Sequence, residues 1–193
     1  MASAISLGAF EAPYIVDPRL PSVPHLRIAV VGDSLSAGIG GGVTTWPDRL
    51  ARDIGAEVRN LAVPGATVAT ARQQVEGVRP DTQVAILLIG GNDVLSRRPI
   101  ADFECDLQAI VARVKAVVPT TLMFELPTVV FSADYLAVQR RIAAKHHVPL
   151  IPRRHLAWVL AERGSTIDGL HLSDRGHQRM ADTIRAILNK SMK

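Results

Sequence analysis

The stretch "RIAVVGDSLSAGIGGG", residues 27–42, joins an apolar strand to a polar, glycine-rich turn. Its first five residues, "RIAVV", have the β-branched, apolar character of a buried strand. After Gly32 come one aspartate, two serines and four glycines within ten residues. Three interpretations fit this change of pattern: a plain turn, a loop that binds phosphate, and a serine nucleophile held at the end of a strand. The remainder of the sequence decides between them.

Composition indicates one α/β domain with an N-terminal arm. The chain has 193 residues, of which 48% are hydrophobic and only 4% are aromatic. A core of this kind consists mainly of Val, Ile, Leu and Ala, which favours strands buried on both faces between helices. Four prolines precede residue 25, so residues 1–25 are predicted to form an extended arm and residues 26–193 the folded domain.

The charge pattern argues against several partners. The net charge is +4, and no basic run is interleaved with aromatic residues, so nucleic acid is not expected as a partner.

No stretch approaches the ~20 apolar residues that a membrane span needs. The N-terminus lacks the basic start of a signal peptide, so a cytoplasmic location is predicted, or a periplasmic or secreted one if a leader has been removed. Oligomeric state is left open.

Cysteine and histidine are not predicted to form a metal or redox site. Cys105 is the single cysteine and falls in an apolar helical pattern, which predicts a small buried hydrophobic side chain. His146, His147 and His155 are close in sequence, but the first two point to different sides of a helix and no carboxylate or cysteine completes a ligand set. No metal is therefore expected. His177 has no evident role in the sequence.

Strand and helix patterns alternate five times after the arm. Such alternation predicts a parallel sheet with helices on both faces, and ligands bind such sheets outside the carboxyl ends of the strands. The predicted strands are 27–31, 57–62, 84–90, 121–126 and 148–151, and the predicted helices are 46–55, 67–77, 102–118, 133–146 and 173–190.

Polar residues with complementary chemistry follow these strands. Ser34 follows the first strand, Gly65 the second and Asn92 the third, and Asp168 and His171 precede the last helix. A serine hydroxyl needs a base, an imidazole needs a carboxylate to orient it, and a tetrahedral intermediate needs donors for its oxyanion. Asp168 lies three residues before His171, which is close enough in a turn to reach the same ring. Each motif alone is common in turns, but their joint occurrence favours a serine hydrolase.

The four segments "GDSLS", "NLAVPGAT", "GGND" and "DGLH" together resemble the SGNH (GDSL) hydrolases, over nearly the whole chain from Arg27 onward. The resemblance implies a flavodoxin-like three-layer α/β/α sandwich with a five-stranded parallel sheet. It implies that Ser34 is the nucleophile, that Asp168 and His171 complete the triad, and that Gly65 and Asn92 join the Ser34 amide in the oxyanion hole. No cofactor is implied, and the partner is a small-molecule acyl ester.

Two features separate this chain from related patterns. Ser36 occupies the position that a glycine holds in the Gly-x-Ser-x-Gly turn of α/β-hydrolases, so that fold is not favoured. Leu172 follows His171 at the position where many SGNH (GDSL) hydrolases have a proline. This difference is expected to alter the turn into the last helix. The short chain is similar to the bacterial thioesterase and lysophospholipase branch of that family.

The substrate is only partly predicted. Val129, Val130 and Phe131 are apolar residues in an expected loop after the fourth strand, and they are candidates for contact with an acyl chain, with a small satellite core as the alternative. Esters, thioesters and acetylated sugars are all compatible with the motifs. A nucleotide- or flavin-binding protein on the same fold is the other class considered, but neither phosphate-binding glycine motif is complete. Asp33 and Asp93 flank the candidate catalytic residues, and they are expected to form turns or cap strands, with membership of a proton network as the alternative.

Overall fold

The computed structural model describes residues 25–39 and 44–190. Apart from His25, the predicted arm of residues 1–25 lies outside these ranges, as do three glycines of the opening turn, Gly40, Gly41 and Gly42. The fold below therefore concerns most of the predicted domain. Within these ranges, no helix is both long enough and apolar enough to span a bilayer.

The centre of the fold is a sheet of five parallel strands, as predicted. The strand order is β2-β1-β3-β4-β5, so β2 lies on one side of β1 and the other three strands lie on the opposite side. Ligand crevices in doubly wound sheets form at this change of direction. The strands are β1 (Arg27–Gly32), β2 (Glu57–Asn60), β3 (Val84–Leu88), β4 (Thr120–Phe124) and β5 (Leu150–Ile151).

Helices cover both faces of the sheet, which confirms the predicted α/β/α sandwich. One core contains strand residues such as Val31 and Leu87 with the apolar sides of α3, α5 and α6, and the other contains Val30 and Leu88 with those of α2, α7 and α8. The helices are α1 (Ser34–Ala37), α2 (Trp46–Ile54), α3 (Arg72–Glu76), α4 (Gly91–Leu95), α5 (Ile100–Lys115), α6 (Ala133–Lys145), α7 (Arg153–Ala161) and α8 (Asp174–Lys190).

Several elements differ from the predicted ones. The second strand ends at Asn60 and the fifth has two residues, because strand pairing rather than apolar character sets their ends. The helix predicted at 67–77 contracts to α3, preceded by turns. The helix α7 was not predicted, since only Leu156 and Val159 are buried and arginines begin it. The short helices α1 and α4 occupy stretches predicted as turns.

The prediction that Cys105 is buried is wrong, because its side chain is exposed. The buried face of α5 contains Phe103 and Leu107 and continues through Ile110 and Val114. A helix turns about 100° per residue, so Cys105 lies about 200° from Phe103 and faces away from the core. The stripe read from the sequence was right, but Cys105 does not belong to it.

Candidate active site

Ser34 is the first residue of α1 and lies directly beyond the carboxyl end of β1. Asp33 is the N-cap of this helix, and its Oδ1 accepts a hydrogen bond from the Leu35 amide at 3.0 Å. The Asp33 carbonyl accepts from the Ser36 and Ala37 amides at 3.0 and 2.9 Å. The cap and these turn hydrogen bonds fix the backbone on both sides of Ser34, which is itself buried.

The turn between β1 and α1 requires a glycine at position 32. A Cβ atom there would lie 2.9 Å from both the Leu88 carbonyl oxygen and the Ser36 hydroxyl oxygen. Real Cβ atoms essentially never approach other atoms so closely, so any larger residue would displace α1 or β3. Gly32 thus sets how closely the serine helix approaches the neighbouring strand.

Gln74 holds the end of β1 on the side of β2, where β2 has already ended. Val30 still bonds to the chain after β2, through Leu61, but β2 itself has ended at Asn60. Two residues further on, the amide group of Gln74 takes the place of a strand. Its Oε1 accepts from the Gly32 amide and its Nε2 donates to the Gly32 carbonyl, both at 2.9 Å.

Asn60, the last residue of β2, holds the other end of α1. Its Nδ2 donates to the Ser36 carbonyl at 2.8 Å, and its Oδ1 accepts from the Ala62 amide at 3.2 Å. A side-chain amide therefore supplies a partner for a carbonyl group of a helix too short to satisfy all its own carbonyls. Asn60 acts here as a structural residue.

Asp168 and His171 lie together on a narrow hairpin closed by the Thr166–Leu172 bridge. The Asp168 Oδ1 accepts from the Leu170 and His171 amides at 3.0 and 2.8 Å, and its Oδ2 lies 2.6 Å from the His171 Nδ1. The hydrogen bonds from His171 and its neighbour lower the pKa of Asp168 to about 2. The carboxylate is therefore ionised at neutral pH and holds the ring in one orientation.

Gly65 and Asn92 are the two predicted oxyanion donors, and a hydrogen bond connects the loop that contains Gly65 to α4, which contains Asn92. Gly65 has φ +75°, a conformation that favours glycine. The Asn92 Nδ2 donates one hydrogen to the Ala66 carbonyl at 2.9 Å, which leaves its second hydrogen available for a ligand. One residue along α4, the Asp93 Oδ2 accepts from the Val68 amide at 2.9 Å.

Asp93 is a fully buried carboxylate that stabilises the contact between α4 and the loop after β2. Burial raises its pKa, which the Val68 amide and the guanidinium of Arg98, 3.3 Å away, partly offset. Arg98 in turn contacts Asp106 on α5. The sequence predicted a turn-forming or strand-capping role for Asp93, and in the structure its carboxylate connects α4 to the loop that contains Gly65.

The serine turn lies against α4, because a Cβ atom built on Gly91 would be 3.5 Å from the Asp33 Oδ2. Burial raises the pKa of Asp33 to about 6, and the charges of His171 and Asp93 act on it in opposite directions. In the described residues no hydrogen bond joins the Ser34 hydroxyl to the His171 ring. Hydrogen bonds between a nucleophile and its base are often long before substrate binds and tighten in the complex.

The loop after β4 carries Val129, Val130 and Phe131, and all three side chains are exposed. The Arg97 guanidinium, from the neighbouring loop after β3, lies 4.3 Å from the centre of the Phe131 ring. Both Arg97 and Phe131 have positive φ angles, +52° and +66°, which are uncommon for residues other than glycine. The structure thus places this apolar segment at the same edge of the sheet as Ser34, but not in a buried satellite core.

His177 has a structural role that the sequence did not reveal. It is buried in the first turn of α8, and its Nδ1 accepts a hydrogen bond from the Trp46 amide at 3.2 Å. Burial lowers its pKa, so the ring is held neutral. The two residues are 131 positions apart, and no local pattern links them. Elsewhere in the described ranges, no three His, Cys, Asp or Glu side chains are grouped as metal ligands.

The fold and the polar groups at this edge match one class of protein, the small α/β/α hydrolases with a serine after the first strand. The sequence model of the GDSL-like lipase/acylhydrolase family matches residues 30–179. The chain therefore belongs to this family and is a serine hydrolase that acts on esters. A comparison with curated proteins found no match.

Solved structures with the same fold include several esterases. The psychrotrophic esterase EstA from Pseudoalteromonas sp., inhibited by monoethylphosphonate, is 19% identical, with a TM-score of 0.71 over 84% of this chain and 98% of its own. TesA is 22% identical, with a TM-score of 0.72 over 86% and 99%. AlinE4, an SGNH-hydrolase family esterase, is 23% identical, with a TM-score of 0.65 over 90% and 100%. At these identities the likeness concerns the fold.

Proposed function

We propose that this enzyme hydrolyses carboxylic esters of acyl substrates through an acyl-enzyme on Ser34, with His171 as general base and Asp168 as its partner. The observation that carries the proposal is the 2.6 Å contact between Asp168 and the His171 Nδ1. With its proton on Nδ1, the ring presents an unprotonated Nε2, which is the form a general base needs. Ser34, which lies directly beyond β1 at the start of α1, is the nucleophile assigned to this base.

The reaction proceeds in two halves. In the first, the Ser34 Oγ attacks the ester carbonyl carbon while its proton passes to the His171 Nε2. The tetrahedral intermediate then collapses, the bond to the leaving oxygen breaks, and the imidazolium returns the proton to the leaving alcohol. In the second half, His171 takes a proton from water as the water oxygen attacks the acyl carbonyl carbon. The second tetrahedral intermediate then collapses, the bond to the Ser34 Oγ breaks, the imidazolium returns its proton to that oxygen, and the carboxylic acid is released.

Three donors are assigned to the oxyanion of each tetrahedral intermediate. They are the backbone amides of Ser34 and Gly65 and the free hydrogen of the Asn92 side chain. The bond from Asn92 to the Ala66 carbonyl supports this role, because it fixes the amide group before substrate arrives. A donor that needs no reorganisation stabilises the transition state more than one that must first turn.

The acyl chain is assigned to the exposed segment Val129–Phe131. Phe131 and Val130 have 63% and 75% of their surface exposed, which is a large apolar area beside a polar edge. A groove of about 440 Å³ adjoins the two ends of this segment, and its lining consists of Thr128, Ala133, Leu136, Ala137, Arg140 and Arg153. Its volume falls in the range of small-molecule sites. A medium-length acyl chain is therefore the favoured substrate, and an acetyl group would leave this surface unused.

The first experiment measures hydrolysis of p-nitrophenyl esters, from acetyl to long acyl, by the wild type, Ser34→Ala and Ser36→Ala. Ser34→Ala is expected to lower kcat by ~10³-fold or more. Ser36→Ala is a matched control, since the Ser36 hydroxyl is buried two residues away and has no hydrogen-bond partner in the structure. Near-wild-type turnover by Ser34→Ala, or loss only in Ser36→Ala, would refute the assignment of the nucleophile.

The same series tests the acyl segment. Phe131→Ser is expected to raise KM for the longer esters by roughly threefold to tenfold while changing acetyl ester hydrolysis little, because burial of an aromatic side chain contributes about 1.5–3 kcal/mol when complete and less when partial. An acetyl optimum in the wild type, with no response to Phe131→Ser, would instead indicate a deacetylase.

A further inference from the structure

Exposed apolar side chains are concentrated on the three segments that follow β2, β3 and β4. These segments, residues 61–71, 89–99 and 125–132, are called the rim loops, and the second of them includes α4. Eight large apolar side chains are exposed in the described residues, and five of them belong to the rim loops: Val63, Leu95, Val129, Val130 and Phe131. Single exposed apolar residues are common, but a concentration of them on one surface marks contact with another molecule.

The rim loops contact one another and form one surface. The Asn92 Nδ2 donates to the Ala66 carbonyl at 2.9 Å, which joins the second loop to the first. The Arg97 guanidinium lies 4.3 Å from the centre of the Phe131 ring, which joins the second loop to the third. The five apolar side chains therefore belong to neighbouring loops at the carboxyl edge of the sheet.

The rim loops bury their negative charges and expose a positive one. Their two acidic residues, Asp93 and Glu125, are both buried, and each pairs with an arginine, Arg98 and Arg140 respectively. Arg97 is exposed at the surface, beside the Phe131 ring. The outer surface of these loops is thus apolar and positively charged, which is complementary to a membrane surface that contains anionic lipids.

We propose that the rim loops are a docking surface for an anionic lipid bilayer. Phe131 and Leu95 enter the boundary between headgroups and acyl chains, and Arg97 pairs with a lipid phosphate. The long stem of an arginine can lie against apolar groups while its guanidinium stays at the level of the headgroups. Attachment to such a surface strengthens with buried apolar area and with attraction to anionic lipid.

A bilayer suits this surface better than a protein partner does. The apolar side chains project from three separate loops, and a fluid lipid surface adapts to them without a matching shape. The rim loops also carry the segment Val129–Phe131, so a docked enzyme would meet the acyl chain of a lipid at the place where it enters. This last point rests on the proposed function, whereas the docking itself does not.

The backbone holds Arg97 and Phe131 together before any lipid is present. Their φ angles are +52° and +66°, a region that is unfavourable for residues with a Cβ atom. Contacts within the fold, rather than the preference of either residue, therefore maintain this pair. An anchor that is already ordered loses less conformational entropy when it binds.

The test is co-sedimentation with vesicles of ether-linked lipids, which contain no ester bond to hydrolyse. One set consists of equal parts phosphatidylcholine and phosphatidylglycerol, and the other of phosphatidylcholine alone. The wild type is expected to bind the anionic vesicles about fivefold more tightly, since one arginine near such a surface contributes about that factor. Arg97→Gln should remove this preference.

The apolar contribution is measured with the same vesicles. Phe131→Ser should weaken binding to both sets by roughly fivefold to twenty-five-fold, because a largely exposed aromatic ring is no longer buried in lipid. Leu95→Ser, on a different loop, should weaken binding in the same way. Because both side chains are exposed, neither substitution opens a cavity in the core.

Two matched variants control for net charge and for exposed aromatic area. Arg113→Gln removes the same charge as Arg97→Gln, but Arg113 is exposed near the end of α5 that precedes β4, at the opposite edge of the sheet. Trp158→Ser removes an exposed aromatic ring from α7, outside the rim loops. Both should bind vesicles within twofold of the wild type. Equal losses in Arg113→Gln and Arg97→Gln, or no loss in Phe131→Ser, would overturn the docking surface.

The outcomes separate docking from catalysis. Ser34→Ala should bind vesicles as the wild type does. If the wild type binds vesicles but hydrolyses no ester, the proposed function fails and the docking surface stands. If it hydrolyses soluble esters but stays in the supernatant, the docking surface is overturned alone. A dimer in light scattering that Phe131→Ser dissociates would also overturn it, because a second copy of the chain would then cover the rim loops.

Discussion

Replacing Gln74 by leucine tests whether the side-chain amide that ends β1 positions Ser34. The substitution removes both 2.9 Å hydrogen bonds to Gly32. The Gly32 carbonyl keeps a bond from the Val63 amide at 3.2 Å, but its own amide loses the partner that Gln74 provides in a buried setting. An unsatisfied buried donor costs about 1–3 kcal/mol and the lost carbonyl bond about 1 kcal/mol. Leucine fits the apolar core, so the net loss of stability is about 2–3 kcal/mol.

The expected fall in Tm is roughly 4–12 °C, because 1 kcal/mol corresponds to about 2–4 °C in a protein of this size. Thermal and urea unfolding measure this loss. The second consequence concerns activity: a relaxed Gly32 displaces Ser34, so kcat at a temperature where the protein is folded should fall by roughly tenfold to a hundredfold. KM should change less, since the acyl segment follows a different strand.

Gln139 provides the matched control. It is fully buried and does for β4 what Gln74 does for β1, with its Oε1 accepting from the Leu126 amide at 2.9 Å and its Nε2 donating to the Phe124 carbonyl at 3.2 Å. Gln139→Leu should therefore lose comparable stability but keep kcat within a few-fold. If both variants lose kcat equally, or if Gln74→Leu keeps full activity, Gln74 does not position the nucleophile.

Three further outcomes follow from other contacts. The pKa of His177 is lowered in the folded protein, so the unfolded chain takes up the proton more readily and stability falls as pH drops below about 6.5. The glutamine of His177→Gln can still accept a hydrogen bond from the Trp46 amide but does not titrate. This variant should therefore lose less stability over that pH range, as measured by urea unfolding at each pH. Glu125→Ala removes a buried carboxylate 2.6 Å from Arg140 and should cost about 2–4 kcal/mol in the same assay, and a cost below 1 kcal/mol would contradict this estimate. Cys105 should react with a thiol reagent in the native protein, and reaction only after unfolding would contradict its exposure.

The parts of the fold that sequence predicted are those with local signals. The apolar run of β3 and the stripe of α5 each define their element within a few residues. The contact between Asp168 and His171 was foreseeable for the same reason, because three residues in a turn separate them. That Asp168 and His171 meet Ser34 at one edge of the sheet stays a prediction, drawn from the rule that ligands bind outside the carboxyl ends of parallel strands.

The parts that sequence did not predict depend on distant contacts. Gln74 bonds to a residue 42 positions away, and nothing in its own helix distinguishes it from Gln73. The apolar face of α5 was predicted correctly, but Cys105 lies on the opposite side of that helix and is exposed. Helix α7 was missed because its outer face carries arginines and a 58% exposed Trp158.

The most direct test of the central claim is the site of covalent modification by an organophosphonate ester, located by mass spectrometry of the tryptic peptide spanning residues 28–49. A serine activated by an imidazole reacts with such a reagent, and an ordinary serine does not. Fragment ions on either side of Leu35 distinguish Ser34 from Ser36. One adduct is expected, on Ser34, and it should be abolished in His171→Ala. An adduct on Ser36, or equal labelling in His171→Ala, would contradict it.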